Sequence, residues 1–382
     1  MKFNKNYDII VGGAGIAGVA AALEASRAGM KTALIEKTVF PGGLATTGMV
    51  NIYLPLCDGN GNQLIFGIAE ELLKLCVNFG PTSLPEGWGD LEGTQKSRYM
   101  ARFSPASYIL SLDKILEESG VDVWYDSVIC DTDMDADTVQ GVIIENKSGR
   151  GLLSAKCVVD ATGDADIAFF AGAELENGNN KLSMWGLQTS LDKAEASVKY
   201  QDPEMLLDML RLGADDSGRG HPEGAKTWDG VNGKNVTEFI IHSRKLARNH
   251  YEKIQSENGT NAPFPLAFPA MAQFRMTRKI VGLDKVLNKN ENLDIPNAIG
   301  SIPDWRSAGR IWQLPYGALV PRRIKGLLTA GRIISVENGD AWNVCRVIPA
   351  AALTGQLAGK AAALSIKDKV STHDIAPEAV KL

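Results

Sequence analysis

Apolar positions along this chain follow two rhythms. Tyr7-Asp8-Ile9-Ile10-Val11 is a short apolar run rich in β-branched residues, as a strand buried on both faces requires. Residues 16–28, IAGVAAALEASRA, carry a helical period with many small side chains, and Gly29 provides a stop. Lys31 to Ile35 reads as a second strand, with Glu36 at its end. Ser104 to Glu118 predicts a capped amphipathic helix with proline at its first position, ended by Gly120. Val121-Asp122-Val123-Trp124-Tyr125 and Val139 to Glu145 predict strands of one further sheet layer. Two more apolar strands close in small-residue turns: Cys157 to Asp160 before Ala161-Thr162-Gly163-Asp164, and Leu327 to Thr329 before Ala330-Gly331-Arg332. Residues 350–365 read as a small-residue helix, with Pro349 in its first turn, where a missing N–H costs nothing.

Between about Glu176 and Trp312 this strand-and-helix alternation is lost. Leu182 to Leu191 predicts a strand, residues 212–235 a long polar loop, and Val236 to Glu257 a helix ending at Asn258-Gly259. The stretch 263–275, PFPLAFPAMAQFR, is apolar but broken by proline. The expected division is a discontinuous domain over 1–176 and 317–366, an inserted α+β substrate or cap domain over 177–316, and a peripheral tail over 367–382.

Chemistry enters at the first turn. Gly13-Ala14-Gly15-Ile16-Ala17-Gly18 links the first strand to the first helix. Gly13 permits the tight turn, Gly15 lets backbone approach a pyrophosphate, and Gly18 lets helix pack on strand. The N–H groups at the helix start favour phosphate charge, and Glu36 can accept both hydroxyls of an adenosine ribose. The fold class is therefore α/β: a Rossmann-like dinucleotide domain with a parallel sheet and an additional β layer, plus the inserted α+β domain. A glycine-rich βα turn without a ligand is the plainer alternative, and the second strand and terminal acid weigh against it. NAD and FAD remain open at this point. Pro41-Gly42-Gly43-Leu44-Ala45-Thr46-Thr47-Gly48 then favours the longer cofactor, because a simple NAD domain continues here with its next helix and strand.

Composition narrows the partners. The 382 residues are 45% hydrophobic and 22% charged, which are globular values, and suit more than one ordinary core. A net charge of −5 provides no basic footprint for nucleic acid or an anionic membrane. No run reaches the ~18 apolar residues of a membrane span. Cys57, Cys76, Cys130, Cys157 and Cys345 include no CxxC pair, so no metal site is expected, and an odd number without a leader reads as reduced thiols in the cytoplasm.

DIIVGGAGIAGVAAA, EKTVFPGGLATTGMVN, VVDATGDADIAFFAGA, FRMTRKIVG and AGRIIS…CRVIPAAALTGQLAGKAAAL together resemble the FAD-dependent oxidoreductases of the glutathione-reductase-like superfamily, whose relatives include the flavin subunit of heterodisulfide reductase. The resemblance implies FAD contacts from Gly13, Gly15, Ile16, Ala17, Gly18, Glu36, Lys37 and Val128. It implies that Gly42, Gly43, Leu44, Ala45 and Thr46 run along the ribityl and flavin, and that Ala161, Thr162, Gly163 and Asp164 close over the pyrophosphate. Gly331, Arg332, Arg346 and Ala350 would lie near the flavin. The final helix would point its N-terminus at the N1–C2=O edge, stabilising negative charge on the reduced ring. Many relatives carry a His shortly after an Asp in the segment corresponding to Ser301-Ile302-Pro303-Asp304-Trp305-Arg306, and this chain does not.

The first histidine is His221, so a histidyl–flavin bond near the N-terminus is excluded and FAD is expected to be non-covalent. With a single dinucleotide fingerprint, electrons should come from a substrate or from a transient partner. The expected activity is hydride transfer between a small organic substrate and flavin N5. The alternatives are an electron-transfer subunit of a larger complex, or a flavin-binding protein without turnover. Candidate catalytic or substrate residues are Arg275, Arg278, Asp304, Tyr316 and Arg346. Arg275 and Arg278, spaced to share a helical face, form either a clamp for an anionic substrate or inter-domain ion pairs. Arg346 either touches flavin and substrate or braces the turn. Cys57 and Cys345 read as packing residues rather than reactive thiols. The GxxxG of Gly355 and Gly359 reads as close packing against sheet or flavin. Oligomeric state does not follow from the residues.

Overall fold

The computed structural model describes residues 1–84, 100–215 and 217–382. Its centre is a five-stranded, all-parallel sheet. In spatial order the strands are Leu327–Thr329, Cys157–Asp160, Ile9–Gly12, Thr32–Ile35 and Asp122–Trp124. The four strands that carry Ile9, Thr32, Cys157 and Leu327 are buried throughout, which accounts for their unbroken apolar runs. A second sheet follows the order Phe3–Asn6, Gly149–Ser154, Thr138–Asn146, Val128–Asp135. The two strands expected to share one layer are thus separated. Asp122–Trp124 completes the parallel sheet beside Thr32–Ile35, and Thr138–Asn146 belongs to the second sheet. Periodicity defines a strand's faces but not its neighbours.

The helix Pro105–Glu118 starts as expected, with the Ser104 hydroxyl accepting from the Ser107 N–H. Two helices cover one face of the parallel sheet and cross each other: Ile16–Arg27 and Ile348–Asp368. Their contact explains the GxxxG of the last helix, and it differs from the expected packing on sheet or flavin. A Cβ on Gly355 would lie 2.1 Å from the Ala17 carbonyl oxygen, and one on Gly359 2.4 Å from that of Ala21. The glycines therefore let two backbones touch. The same helix fixes a third, Ile68–Cys76, because the Gln356 side chain accepts from the Ile68 N–H and donates to Glu24.

The inserted region builds a three-stranded antiparallel sheet in the order Asp208–Gly213, Ser183–Thr189, Phe264–Ala267, against which the long helix Gly233–Asn258 packs. The predicted strand and helix are both present, a strand forms inside the proline-broken stretch, and position 216 of the predicted loop lies outside the described residues. Residues 298–315 behave differently from the rest of this region. They form a hairpin whose Ile299, Ile302, Trp312 and Leu314 join the main core with the first and last helices. The tail, expected to be peripheral, also packs inward, with Ile375 and Val380 buried in that core. Among the described residues no helix is long and apolar enough to cross a membrane.

Candidate flavin site

The site is assembled where the parallel strands end. After Gly12 the chain turns through Gly13 at φ +90°, and a Cβ there would lie 2.6 Å from the Ala161 oxygen. Gly18 is equally constrained, since its Cβ would meet the Gly13 carbonyl at 1.8 Å. Gly15 is different. It precedes the first helix in an extended conformation (φ −62°, ψ 172°), no side chain caps that helix start, and nothing stands within 4 Å of its missing Cβ. Facing it, Gly42 donates its N–H to the Ala14 oxygen at 2.7 Å, and Gly43 approaches the Gly15 Cα. An uncapped helix start beside two apposed glycine backbones is a cradle for a phosphate chain.

Glu36 ends the second parallel strand almost fully buried. Its carboxylate accepts from the Ala14 N–H at 2.8 Å, from the Thr38 N–H at 2.8 Å and from the Thr38 hydroxyl at 2.9 Å. Val128 lies exposed just beyond Ser127, whose N–H donates to the Glu36 carbonyl. Leu44 and Ala45 sit in the short turn Gly43–Ala45, and the buried Thr46 hydroxyl donates back to the Pro41 oxygen. Ile16, Ala17 and Ala350 are buried at the starts of the two crossing helices, and the Gly331 N–H donates to the Thr354 hydroxyl at 2.9 Å. The cradle, the buried acid and the glycine loop fit an adenine dinucleotide extended toward the last helix.

A sequence model of the family described as "FAD dependent oxidoreductase" matches residues 8–264 and 284–382. The chain belongs to this family. FAD is therefore the cofactor of this protein. A thioredoxin reductase from Ureaplasma parvum serovar 3 is 41% identical over 73 residues, which is 19% of this chain and 23% of that protein. Among solved structures, a geranylgeranyl bacteriochlorophyll reductase-like protein from Thermoplasma acidophilum aligns over 99% of this chain and 82% of its own at 14% identity and a TM-score of 0.46. The myxobacterial chondrochloren halogenase aligns over 97% and 77% at 12% identity and a TM-score of 0.47.

In this FAD oxidoreductase the Ala161–Asp164 turn is held from both sides. Asp160, fully buried, accepts from the Thr162 N–H, the Thr162 hydroxyl and the Ala168 N–H, and burial pushes its carboxyl up to about 6. Arg332 donates to the Gly163 oxygen at 2.6 Å, to Asp164 at 2.9 Å and to the Phe274 oxygen at 2.8 Å. The Thr277 hydroxyl also donates to Asp164, and Lys37 lies 3.7 Å away. Burial pushes the Asp164 carboxyl up, but Arg332, Lys37 and Thr277 together hold it below its ordinary value. Its stabilising contribution is present above the unfolded value of 3.8 and is lost as pH falls through the lower folded value. In acid unfolding, wild type should exceed Asp164→Asn in stability at neutral pH, and the gap should close below about pH 4. A gap independent of pH would exclude this coupling.

The candidate catalytic residues do not gather at one point. Arg275 and Arg278 share no helix, because Arg278 opens the strand Arg278–Ile280, which pairs with Leu175–Asn177. Arg275 donates to the Ala214 and Asp215 carbonyls. Arg278, nearly buried over the Phe169 ring, donates to Asp166 and to the Asp164 and Val231 carbonyls. Arg275 therefore braces residues 214–215, and Arg278 ties its strand to the turn after Cys157–Asp160 and to Val231. Asp304 is completely buried between Arg306 and Arg310, and both arginines also bridge to Asp340. Tyr316 is buried, and its hydroxyl donates to the Thr372 oxygen at 2.7 Å. Burial raises this phenol well above the usual range, so it holds its proton. Burial also pushes the Cys345 thiol up to about 12, which suits packing rather than nucleophilic work. Among the described residues no group of three or more His, Cys, Asp or Glu could hold a metal ion.

Arg346 does line a cavity, of about 180 Å³, together with Arg275, Lys181, Gln273, Trp342 and Asn343. Sequence reasoning missed Gln273, which donates to the Gly48 carbonyl and so joins the stretch 263–275 to the end of the glycine loop. It also missed Thr277 and Thr354. Thr354 left one signal, a lone hydroxyl on the apolar face of the last helix.

Proposed function

We propose that this FAD oxidoreductase transfers a hydride between a small organic substrate and flavin N5, with FAD held non-covalently. The reading is carried by the open, uncapped space at Gly15 opposite Gly42 and Gly43, with a cavity tied to the far end of the same loop through Gln273. The helix start and Gly15 backbone would hold the pyrophosphate, Glu36 the adenosine ribose, and Val128 would border the adenine. Gly42 to Thr46 would line the ribityl and ring, with Ile16, Ala17, Ala161, Gly331 and Ala350 supplying the walls. Bound FAD supplies the two-electron chemistry. The chain's own residues orient both partners and exclude water. Asp164, Arg332 and Lys37 would stabilise the turn above the phosphates rather than react. Residues 1–176 and 317–366 would form the FAD body, joined by the 298–315 hairpin, and the rest of 177–316 would cover the substrate.

Purified protein should be yellow, release its flavin on heat denaturation, and bleach when mixed without oxygen with a substrate from an organic-acid and alcohol panel. Reduction by a protein donor alone would favour an electron-transfer subunit. A flavin that no donor reduces would remove the enzymatic reading.

A further inference from the structure

We propose that Gln273 is a positioning residue for the flavin half of FAD: its side-chain amide clamps the far end of the glycine loop onto the sheet of the inserted region. This rests on the function proposed above and adds to it the residue that keeps the loop in its flavin-binding shape.

The two ends of the loop are held by different parts of the chain. At its start the Gly42 N–H donates to the Ala14 oxygen of the first turn. At its end the contacts come from residues 270–273. The Ala270 N–H donates to the Thr47 oxygen at 2.8 Å, the Thr47 hydroxyl meets the Met271 sulfur at 3.3 Å, and the Gln273 amide donates to the Gly48 oxygen at 2.5 Å.

Gln273 is buried, and its amide does more than touch the loop. The strand Phe264–Ala267 pairs with Ser183–Thr189 only from Leu187 onward. At Trp185 the Gln273 amide takes the place of that strand, accepting from the Trp185 N–H at 2.8 Å and donating to the Trp185 oxygen at 3.1 Å. Both amide hydrogens are thereby used, one on the sheet and one on the loop. A single side chain continues the sheet ladder and ends it on Gly48.

The backbone at that point gives the clamp its purpose. The Gly48 carbonyl belongs to the peptide that leads into Met49, and Met49 stands at φ +57°. A left-handed conformation costs energy in a residue with a side chain, and it persists where the surroundings over-determine it. Gln273 holds the peptide that enters this conformation. Gly48 is fixed as well, since a Cβ on it would lie 2.6 Å from the Leu44 Cα. Without the amide the loop end is free to relax, and FAD must re-order it on binding at a cost in affinity.

The test compares wild-type holoenzyme with Gln273→Met, an apolar side chain of similar length, and with Asn180→Leu. Asn180 is a similarly buried amide of the inserted region whose bonds go to Trp228, Arg275 and Met276 rather than to the loop. FAD release after dilution is followed by flavin fluorescence, the surroundings of the ring by visible circular dichroism, and stability by a melting curve. Gln273→Met should release FAD faster by about fivefold or more, the entropic cost of re-fixing a single loop residue. It should also alter the flavin circular dichroism. Asn180→Leu should lower the melting temperature and leave both flavin signals as in wild type. If Gln273→Met does not fold, Gln273→Glu takes its place, because it keeps the volume and the acceptor for the Trp185 N–H and withdraws both donors. Flavin signals unchanged in the Gln273 variants, or changed as much in Asn180→Leu, overturn the proposal. A wild type that takes up no FAD ends both readings, whereas FAD held equally with and without the amide ends only this one.

Discussion

Gly15→Val is expected to yield a folded but colourless protein. Its backbone occupies a region open to any residue, and the added Cβ meets nothing within 4 Å, so the fold should tolerate the change. The space it fills is the space that the pyrophosphate needs. FAD affinity should fall by about a hundredfold or more, equivalent to losing one or two charge-assisted hydrogen bonds at about 1.5–3 kcal/mol each. Flavin absorbance after desalting, with a melting curve on the same sample, reads both halves of the expectation. A yellow variant would show that the dinucleotide does not cross this turn. Gly13 and Gly18 cannot serve for this purpose, because a Cβ on either collides with backbone even without a ligand.

A large loss of stability should come from Gly355→Val. Its Cβ would sit 2.1 Å from the Ala17 oxygen, and a main-chain carbonyl in a helix cannot rotate aside. The helices must separate, at a cost at or above the top of the overpacking range, about 3 kcal/mol. Gly300→Ala provides the control. The nearest atoms to its methyl would be side-chain carbons, of Leu353 at 3.3 Å and of Leu357 at 3.5 Å, and the change should cost about 1 kcal/mol or less. Equal melting temperatures for the two variants would disprove the argument from helix contact.

What the sequence disclosed and what it withheld divide along physical lines. Features dictated by backbone geometry were legible: the Gly13–Gly18 turn, the acid after the second strand, and the apolar strands that become the parallel sheet. Such features depend on residues near one another in the chain. The long helix of the inserted region and the strand before it were legible for the same reason. Contacts set by the third dimension were not. Arg275 and Arg278 stand at a helical spacing, yet the strand pairing of Arg278–Ile280 with Leu175–Asn177 overrides it. Asp304 and Tyr316 carry groups that can move protons, but each is committed to a partner that only the fold supplies.

The contact between the first and last helices also dictates an order of events during synthesis. Ala17 emerges from the ribosome 338 residues before its partner Gly355. Until then the apolar flank of the first helix has no cover, and the half-made cradle lacks the wall that ends its far side. Were FAD held in that cradle as proposed, its capture would wait for the closing segment, with that flank open to aggregation in the interval.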